Sequence, residues 1–600
     1  MQRTSPSAPP HVVGEAAVDC WSDSGRTPLL LPEMRHVVYI SDMARLQAIT
    51  STTSSLALWI EQSASRHKGL WLALAVGVAL KVVLLATGSV GFHADEAVIG
   101  LMARHILQGA HPTFFYGQSY MGALDAYLVA LSFLVFGPGV LAIRIVQIVL
   151  YLGTLITTYL LAYRLSGTRR AAGAAALLVA LPPVLVSVYT TATLGDYGEI
   201  LLLNNLLLLL GWGILNGRRD GAGWWLLVGL LAGLGWWSMS LIVTALLPLG
   251  VIGLWRLRRT LPLGKAALLM LGFAAGAGPW IAAVAADPAA IFTELFGVRF
   301  GQALAEAGSG GLAERALSLV AFNLPALFGL RPPWALEWIA LPLGMPIVAL
   351  YLFILWQAAR RTLRQGAGGE RLTLLGGWGV LIAAFLFSPF GSDPTGRYLL
   401  PLYPLLAILS GEWLGSVAWH WKRPSGRWAA PALLGMILAY NLGGTVQAMV
   451  KNPPGLTTQF SAITHIPNEY DDDLIAFLDA VGEDRGYSTY WVAYRLAFLT
   501  GERIILVPLL PYKADMRYTT YDLRYLPHLE AVRAAEHVVY VTANHPLLDA
   551  VLRERFAALG VSYREAQIGP YTVFYHLSRP VGPEEAVPYR EVQGREIPEP

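Results

Sequence analysis

Apolar runs of about 20 residues recur through two thirds of the chain and constrain its fold more than any other feature. Examples are residues 69–88, 171–190 and 428–450. A helical run of that length matches the hydrocarbon core of a bilayer, which is roughly 30 Å thick. The chain is 55% apolar and only 14% charged, whereas about 25% of the residues in a soluble domain are charged. The sequence therefore predicts an α-helical polytopic membrane protein.

The basic residues between the apolar runs indicate how the predicted helices are oriented. Arginine and lysine cluster in alternate loops, for example at 164–170, 256–265 and 360–371, as the positive-inside rule expects of inner loops. Counting residues 121–136 as a span would invert this pattern, so we place them as an interfacial or re-entrant helix on the outer side. About eleven spans are predicted, at residues 69–89, 139–163, 171–190, 198–215, 222–238, 239–255, 265–286, 335–358, 372–389, 397–419 and 428–450.

The predicted transmembrane module occupies residues 69–450, and polar segments precede and interrupt it. Residues 1–68 are polar, and we expect a mostly disordered cytoplasmic segment there. We expect residues 91–138 to form the first outer loop and residues 287–334 a long outer loop. The topology predicts an integral, multi-pass protein of the plasma (inner) membrane.

After residue 450 the composition changes, because charged residues of both signs alternate with short strand-like and helical patterns. This change predicts an extracytoplasmic α/β domain at 451–580, followed by a flexible tail at 581–600. The domain has no Gly-rich phosphate-binding motif and no metal-ligand cluster, so a nucleotide site is not expected. The expected strands are Arg503–Val507, His537–Thr542 and Tyr571–His576, and the expected helices are Asp471–Val481 and Pro546–Leu559.

Charge and cysteine content exclude two further classes. The net charge is +3 and no basic stripe with interleaved aromatic residues occurs, so nothing indicates a nucleic-acid partner. Cys20 is the only cysteine, which rules out an intrachain disulfide and a cysteine-based metal site. Given the apolar runs, membrane lipids are the expected surroundings of most of the chain.

The segment Phe92-His93-Ala94-Asp95-Glu96, directly after the first span, is the most informative for chemistry. Asp95 and Glu96 open a helix whose apolar residues follow i, i+3, i+4, i+7 spacing. A helix N-terminus favours an ionised carboxylate, and a carboxylate at the membrane surface is suited to act as a general base. The alternatives are a plain capping role for Asp95 and a solvated interfacial imidazole for His93.

Two other outer segments carry polar residues that we expect near Asp95. Asp196 and Glu199 lie between the third and fourth spans, and Arg397 and Tyr398 begin the tenth. Carboxylates in two loops beside an interfacial arginine suggest a base, an orienting acid and an anion clamp. For Arg397 the alternative is that it reaches out to the lipid headgroups.

In their order along the chain these features resemble the GT-C superfamily of membrane glycosyltransferases. The nearest group is family 39, which includes protein O-mannosyltransferases and the aminoarabinose transferase. The resemblance covers residues 69–580. The matching features are the first-loop Asp-Glu, an amphipathic helix, Phe136-Gly137, an arginine-bearing second span, a second-loop Asp, Arg397–Pro401 and a strand-like Tyr490–Tyr494.

The resemblance implies an inverting transferase that uses a polyprenyl-phosphate-linked sugar donor and an extracytoplasmic lipid, glycan or protein acceptor. Asp95 would take the proton of the acceptor hydroxyl, and Arg397 would stabilise the leaving phosphate, assisted by a second arginine. The implied catalytic residues are Asp95, Glu96 and Asp196, and the implied substrate-binding residues are His93, Arg104, Gln118, Tyr120, Arg144, Glu199, Arg397 and Tyr398.

The chain also departs from the family pattern. Many family 39 enzymes have a Lys-Pro-Pro-Leu-like stretch after the amphipathic helix, whereas this chain has Tyr116-Gly117-Gln118-Ser119-Tyr120 and then Asp125. Gln118, Tyr120 and Asp125 are therefore expected to replace the missing lysine as sugar or acceptor contacts.

Two alternatives to this function stay open at the level of sequence. One is an oligosaccharyltransferase- or ligase-like enzyme with a polyprenyl-pyrophosphate donor. Such a donor favours a divalent cation, Mg²⁺ or Mn²⁺, which Asp95, Glu96, Asp196 and Glu199 have the oxygen atoms to bind. The other is a lipid or solute transporter, although no inverted repeat is visible.

Overall fold

The structure, a computed structural model, describes residues 66–258, 262–289, 311–365, 369–420, 428–451, 455–459 and 461–593. Residues 1–65 of the predicted cytoplasmic segment lie outside the described residues. The same holds for residues 290–310 of the predicted long outer loop and for residues 594–600 of the predicted tail.

Helices occupy all the apolar runs of the membrane module. Within the described residues, six helical segments are long and apolar enough to span a bilayer: Lys68–Ala86, Val140–Ser166, Tyr197–Leu215, Ser240–Leu257, Gly369–Phe387 and Ala429–Lys451. The pair Leu263–Gly276 and Gly278–Ala286, bent by 69°, would be a seventh. Length and composition thus support a multi-span protein, and the number eleven stays a prediction. The helices are α1 (Lys68–Ala86), α2 (Ala94–Leu107), α3 (Leu124–Phe136), α4 (Val140–Ser166), α5 (Arg169–Ala180), α6 (Val184–Tyr189), α7 (Tyr197–Leu215), α8 (Ala222–Ser238), α9 (Val243–Leu257), α10 (Leu263–Gly276), α11 (Gly278–Ala286), α12 (Leu312–Ser318), α13 (Leu324–Leu327), α14 (Gly344–Gln365), α15 (Gly369–Phe387), α16 (Leu402–His420) and α17 (Ala429–Lys451).

The third predicted span is broken between α5 and α6 at Pro182–Pro183. Proline has no N–H to donate and disfavours the helical conformation of the residue before it. The backbone carbonyls left without partners at residues 178–181 must be satisfied inside the protein. Side chains of Tyr151, Tyr403 and Asn441 donate hydrogen bonds to them. Neighbouring helices therefore stabilise this break.

A buried lysine of α1 contacts the same broken segment. The Lys81 ammonium donates to the hydroxyls of Thr190 and Thr191 at 2.7 and 2.8 Å and to the carbonyl of Ser187 at 3.3 Å. An intramembrane cation is costly without such partners. Lys81 thus links α1 to the end of α6.

The described residues after 461 form an α/β domain, as predicted. Its five-stranded sheet has the order β2-β1-β4-β6-β5. Strand β1 is parallel to β2 and β4, and β6 is antiparallel to β4 and β5. Its elements are α18 (Asp471–Val481), β1 (Arg485–Ser488), α19 (Tyr490–Leu499), β2 (Ile505–Val507), β3 (Arg517–Thr519), α20 (Leu526–Arg533), β4 (Val539–Ala543), α21 (Pro546–Ala558), β5 (Arg564–Ile568), β6 (Tyr571–Tyr575), α22 (Pro583–Ala586) and β7 (Glu591–Gln593).

Two expectations for this domain differ from the structure. Tyr490–Tyr494, expected as a strand, opens helix α19, which is buried on nearly all sides. A short apolar run buried all round has no period that separates helix from strand. In addition, β7 pairs with β3, so the fold continues past residue 580, where we expected a flexible tail to begin.

The α/β domain joins the membrane module mainly through α19, which packs against α2. Arg104 of α2 donates to the carbonyl of Phe498 at 2.7 Å and lies over its ring. Glu502, just after α19, accepts hydrogen bonds from Nε2 of His105 in α2 and of His528 in α20, at 3.0 and 2.7 Å. Burial raises the pKa of the Glu502 carboxyl, but the hydrogen bonds from the two histidines and their charges together outweigh burial and lower it to about 2.

We predict that Glu502→Gln lowers the thermal midpoint of unfolding at pH 7. The pKa of Glu502 is lower in the folded protein than in an unfolded chain, where it is about 4.3. Its stabilising effect is therefore present above that value and is lost as the pH falls from about 4.3 to about 2. Tryptophan fluorescence of the protein in nanodiscs, followed at pH 7 and pH 3, measures the difference between variant and wild type. Glu530→Gln, an exposed carboxylate of α20, is the control; an equal loss from Glu530→Gln would contradict the assignment.

Candidate active site

A cavity of about 470 Å³ lies where the predicted first outer loop meets the end of α15, the turn before α9 and the α/β domain. Five residues singled out from the sequence line it: Asp95, Gln118, Tyr120, Arg397 and Tyr398. They come from segments separated by about 300 residues in the chain. The structure therefore brings together the expected base and the expected anion clamp.

Asp95 lies in the first turn of α2 with its side chain 30% exposed. It is not the helix cap, because the His93 side chain accepts the N–H of Asp95 at 3.2 Å and takes that position. The hydroxyl of Tyr490, from the α/β domain, donates to Oδ1 of Asp95. Oδ2 lies 3.4 Å from Nδ1 of His93. The carboxylate is thus contacted from both sides and still reaches the cavity.

His93 lies behind Asp95 and does not line the cavity. Its side chain is 11% exposed, and its ring packs edge-on against Trp491 and contacts the Thr458 hydroxyl at 3.0 Å. Burial is also the main cause that lowers the pKa of His93. The imidazole is therefore neither solvated nor in a place to touch a substrate in the cavity.

Arg397 lies on the cavity wall, in a short 3-10 turn before α16. Its guanidinium pairs with the Asp393 carboxylate at 2.7 Å, donates to the Tyr398 hydroxyl at 3.1 Å and is 38% exposed. Gly396 has a φ of +86°, and an added Cβ would lie 2.9 Å from the Cβ of Ala326. The turn that aims Arg397 at the cavity thus requires glycine.

Glu96, the neighbour of Asp95, points away from the cavity into the helix bundle. It is fully buried and pairs with Arg144 of α4 through two hydrogen bonds, of 3.0 and 2.8 Å. It also accepts the backbone N–H groups of His93 and Thr193. Glu96 and Arg144 therefore satisfy each other. Neither lines the cavity, although the family resemblance implied a catalytic role for Glu96 and a substrate-binding role for Arg144.

Asp196 and Glu199 meet Asp125 in a separate acidic cluster that does not line the cavity either. Oxygen atoms of the three carboxyls all lie within 4.8 Å of one another, and all three side chains are buried. The backbone N–H of Asp125 donates to Asp196 at 3.2 Å. Burial raises the pKa of both Asp125 and Asp196 well above the ordinary value, and neighbouring carboxylates add to the rise.

The four carboxylates considered as cation ligands are thus split among three places. Asp95 lies at the cavity, Glu96 is paired with arginine, and Asp196 and Glu199 are in the acidic cluster. Among the residues that the structure describes, that cluster is the place where three ligand side chains come together. Its all-oxygen set suits Mg²⁺ or Mn²⁺, but none of the three carboxyls lines the cavity.

The α/β domain supplies cavity residues that the sequence reading did not assign to the site. They include Asp522 and Arg524, in the loop before α20, and Tyr490 at the start of α19. Burial raises the pKa of Asp522 to about 7, with Arg524 and Lys513 opposing the rise. In the sequence, Tyr490 stands out only as part of a family-like pattern, and nothing there places Asp522 or Arg524 near the membrane.

Comparison with known proteins supports the fold and the enzyme class. Residues 122–282 match the family model of dolichyl-phosphate-mannose-protein mannosyltransferases. Among solved structures, ArnT from Cupriavidus metallidurans in the apo state has a TM-score of 0.53 at 15% identity, covering 84% of this chain and 97% of that one. The oligosaccharyltransferase of Archaeoglobus fulgidus in the apo form has a TM-score of 0.51 at 13% identity, covering 82% and 70%. No curated protein has significant sequence similarity to the chain.

The matched segment and the fold are similar to those of membrane glycosyltransferases of the GT-C superfamily. The resemblance inferred from the order of motifs and the enzyme class are thereby confirmed, and the transporter alternative is not supported. The family model covers less than half of the chain, and the structural neighbours show the fold alone. The donor and the acceptor must therefore be inferred from the residues that line the cavity.

We predict that Glu96→Gln reduces stability rather than turnover. Removing one partner of a buried ion pair costs about 3 kcal/mol in the free energy of unfolding, and Glu96 does not touch the cavity. Thermal unfolding and the turnover of the folded fraction, both measured in nanodiscs, separate the two effects. Turnover per folded molecule should stay within about twofold of wild type.

The ion pair also predicts that the effects of substitutions at Glu96 and Arg144 on the free energy of unfolding are not additive. The double variant Glu96→Leu, Arg144→Met leaves no buried charge unpaired and should be more stable than either single variant. A turnover loss for Glu96→Gln comparable to that of an Asp95 variant would instead place Glu96 in the chemistry.

Proposed function

We propose that the protein transfers a sugar, with inversion, from a polyprenyl-phosphate donor to a hydroxyl of an extracytoplasmic lipid, glycan or protein acceptor. The observation that carries this proposal is the presence of Asp95 and Arg397 on the wall of one cavity. A carboxylate and a guanidinium there match the two needs of the reaction, which are a proton acceptor and a cation for the leaving group.

The walls of the cavity suit a lipid-linked sugar. One side includes the apolar residues Leu381 and Phe385 of α15, a candidate membrane span, and Leu241 and Val243 near the start of α9. A polyprenyl chain therefore has an apolar surface next to the cavity. The description of the matching family model, which names a dolichyl-phosphate sugar, supports the same class of donor.

The reaction follows from these positions. Asp95 accepts the proton of the acceptor hydroxyl as the oxygen forms a bond to the anomeric carbon of the sugar. The bond between that carbon and the phosphate oxygen breaks, and its electron pair leaves with the polyprenyl phosphate. Arg397 stabilises the additional negative charge on the phosphate, and Asp393 fixes the guanidinium in place. The proton on Asp95 is afterwards released to water.

We predict that Asp95→Asn reduces donor consumption by about a hundred- to ten-thousandfold, the usual contribution of a general base. The amide keeps the size of the side chain but cannot accept the proton. Protein in nanodiscs is incubated with a panel of polyprenyl-phosphate sugars and a crude acceptor extract, and release of polyprenyl phosphate is followed. Glu96→Gln, one residue away, is the matched control. Wild-type turnover in Asp95→Asn would refute the proposed base.

We predict that Arg397→Ala weakens binding of polyprenyl phosphate about ten- to a hundredfold, because charge-assisted hydrogen bonds to phosphate are lost. Arg397→Lys keeps the charge without the bidentate geometry and should be intermediate. Equilibrium binding of undecaprenyl phosphate to each variant in nanodiscs measures the effect. Arg170→Ala removes an exposed arginine and serves as the control; equal affinity for Arg397→Ala and wild type would contradict the clamp.

A further inference from the structure

The α/β domain contacts the expected catalytic base directly. The hydroxyl of Tyr490, the first residue of α19, donates a hydrogen bond to Oδ1 of Asp95, across 395 residues of sequence. Both residues line the cavity. A domain that merely covers the membrane module would have no need of a polar contact at this atom.

Tyr490 is held in place by its own domain. Its ring is 2% exposed and packs edge-on against Trp491, with ring centroids 5.0 Å apart, and against Tyr494 at 5.5 Å. The Arg524 guanidinium lies 5.4 Å from the ring centroid, and the Arg524 backbone N–H donates to the Tyr494 hydroxyl at 2.6 Å. The position of the Tyr490 hydroxyl is therefore set by the α/β domain and not by Asp95.

The hydroxyl acts as a donor in this contact. Burial raises the pKa of Tyr490, and the nearby Asp95 carboxylate raises it further, so the phenol keeps its proton. A carboxylate oxygen has two lone pairs, so a hydrogen bond from Tyr490 to Oδ1 leaves acceptor capacity on Asp95 for a substrate proton.

An aspartate needs such a contact if its carboxylate is to keep one orientation. The torsion that turns the carboxylate plane is broad and is fixed poorly by the side chain itself. Proton transfer requires the oxygen and the substrate hydroxyl to lie within hydrogen-bond reach in a defined direction. A rigid donor at Oδ1 selects one rotation of the plane.

We infer that Tyr490 is a positioning residue that orients the Asp95 carboxylate, so that the α/β domain is a working part of the active site. This inference rests on the proposed function, in which Asp95 is the base. Tyr490 itself transfers no proton and forms no bond in the reaction.

The test compares Tyr490→Phe with Tyr540→Phe. Tyr540 is a fully buried tyrosine of the same domain, with its hydroxyl bonded to the carbonyl of Val581 at 2.7 Å. Turnover under saturating donor, donor affinity and thermal unfolding are measured for both variants in nanodiscs. Tyr490→Phe should lower turnover about ten- to a hundredfold with donor affinity unchanged within about twofold. Tyr540→Phe should change neither quantity, whatever its effect on stability.

A rescue experiment distinguishes loss of the hydrogen-bond donor at position 490 from loss of packing by the ring. A p-aminophenylalanine at position 490, introduced by codon suppression, keeps the ring and restores a donor at the same place, and should recover most of the lost turnover. Turnover in Tyr490→Phe equal to wild type overturns the inference, as does equal loss in the phenylalanine and aminophenylalanine variants. Asp95→Asn tests the proposed function separately. If Asp95→Asn is inactive while Tyr490→Phe has normal turnover, only the inference about Tyr490 fails. If Asp95→Asn is active, the proposed function fails.

Discussion

The buried ion pair between Glu96 and Arg144 holds together the elements that surround the site, and the stability of this region depends on it. The Arg144 guanidinium bonds both oxygens of Glu96 and also the carbonyls of Val90 and Gly91, which lie just before α2. Glu96 in turn accepts the N–H of Thr193 in the second predicted outer loop. One arginine thereby fastens the start of α2, helix α4 and that loop together. Because adjacent residues of a helix point about 100° apart, directing Glu96 into the bundle turns Asp95 towards the cavity.

The acidic residues of the outer segments are thus divided by environment. Asp95 is partly exposed at the cavity, Glu96 has an arginine, and Asp196 and Glu199 lie with Asp125 in a buried cluster. Three buried carboxyls that close together cannot all be ionised without a compensating charge, which agrees with the raised pKa of Asp125 and Asp196. Similar residue types in neighbouring segments therefore have different chemistry.

Two sets of contacts connect the membrane module to the α/β domain. Arg104 and His105 of α2 hold the far end of α19 through Phe498 and Glu502, while Tyr490 at its near end reaches Asp95. Helix α19 therefore lies along α2 with polar contacts at both ends. Arg104, which the family resemblance implied as a substrate-binding residue, lies at this junction and not on the cavity wall.

The resemblance to a known family, read from the order of motifs, pointed to Asp95, Arg397, Gln118, Tyr120 and Tyr398 as site residues, and all five line the cavity. The sequence by itself determined the membrane class, the helical runs and most of the α/β elements. These follow from run length, periodicity and loop charge, which are local properties of the chain. Only the tertiary structure decided that Glu96 pairs with Arg144, that Asp125 joins Asp196 and Glu199, and that Tyr490 meets Asp95. Each of these contacts joins residues from 48 to 395 positions apart. No local pattern specifies which of several charged or aromatic side chains will meet, because that choice is made by helix packing and by the cost of leaving a buried polar group without a partner.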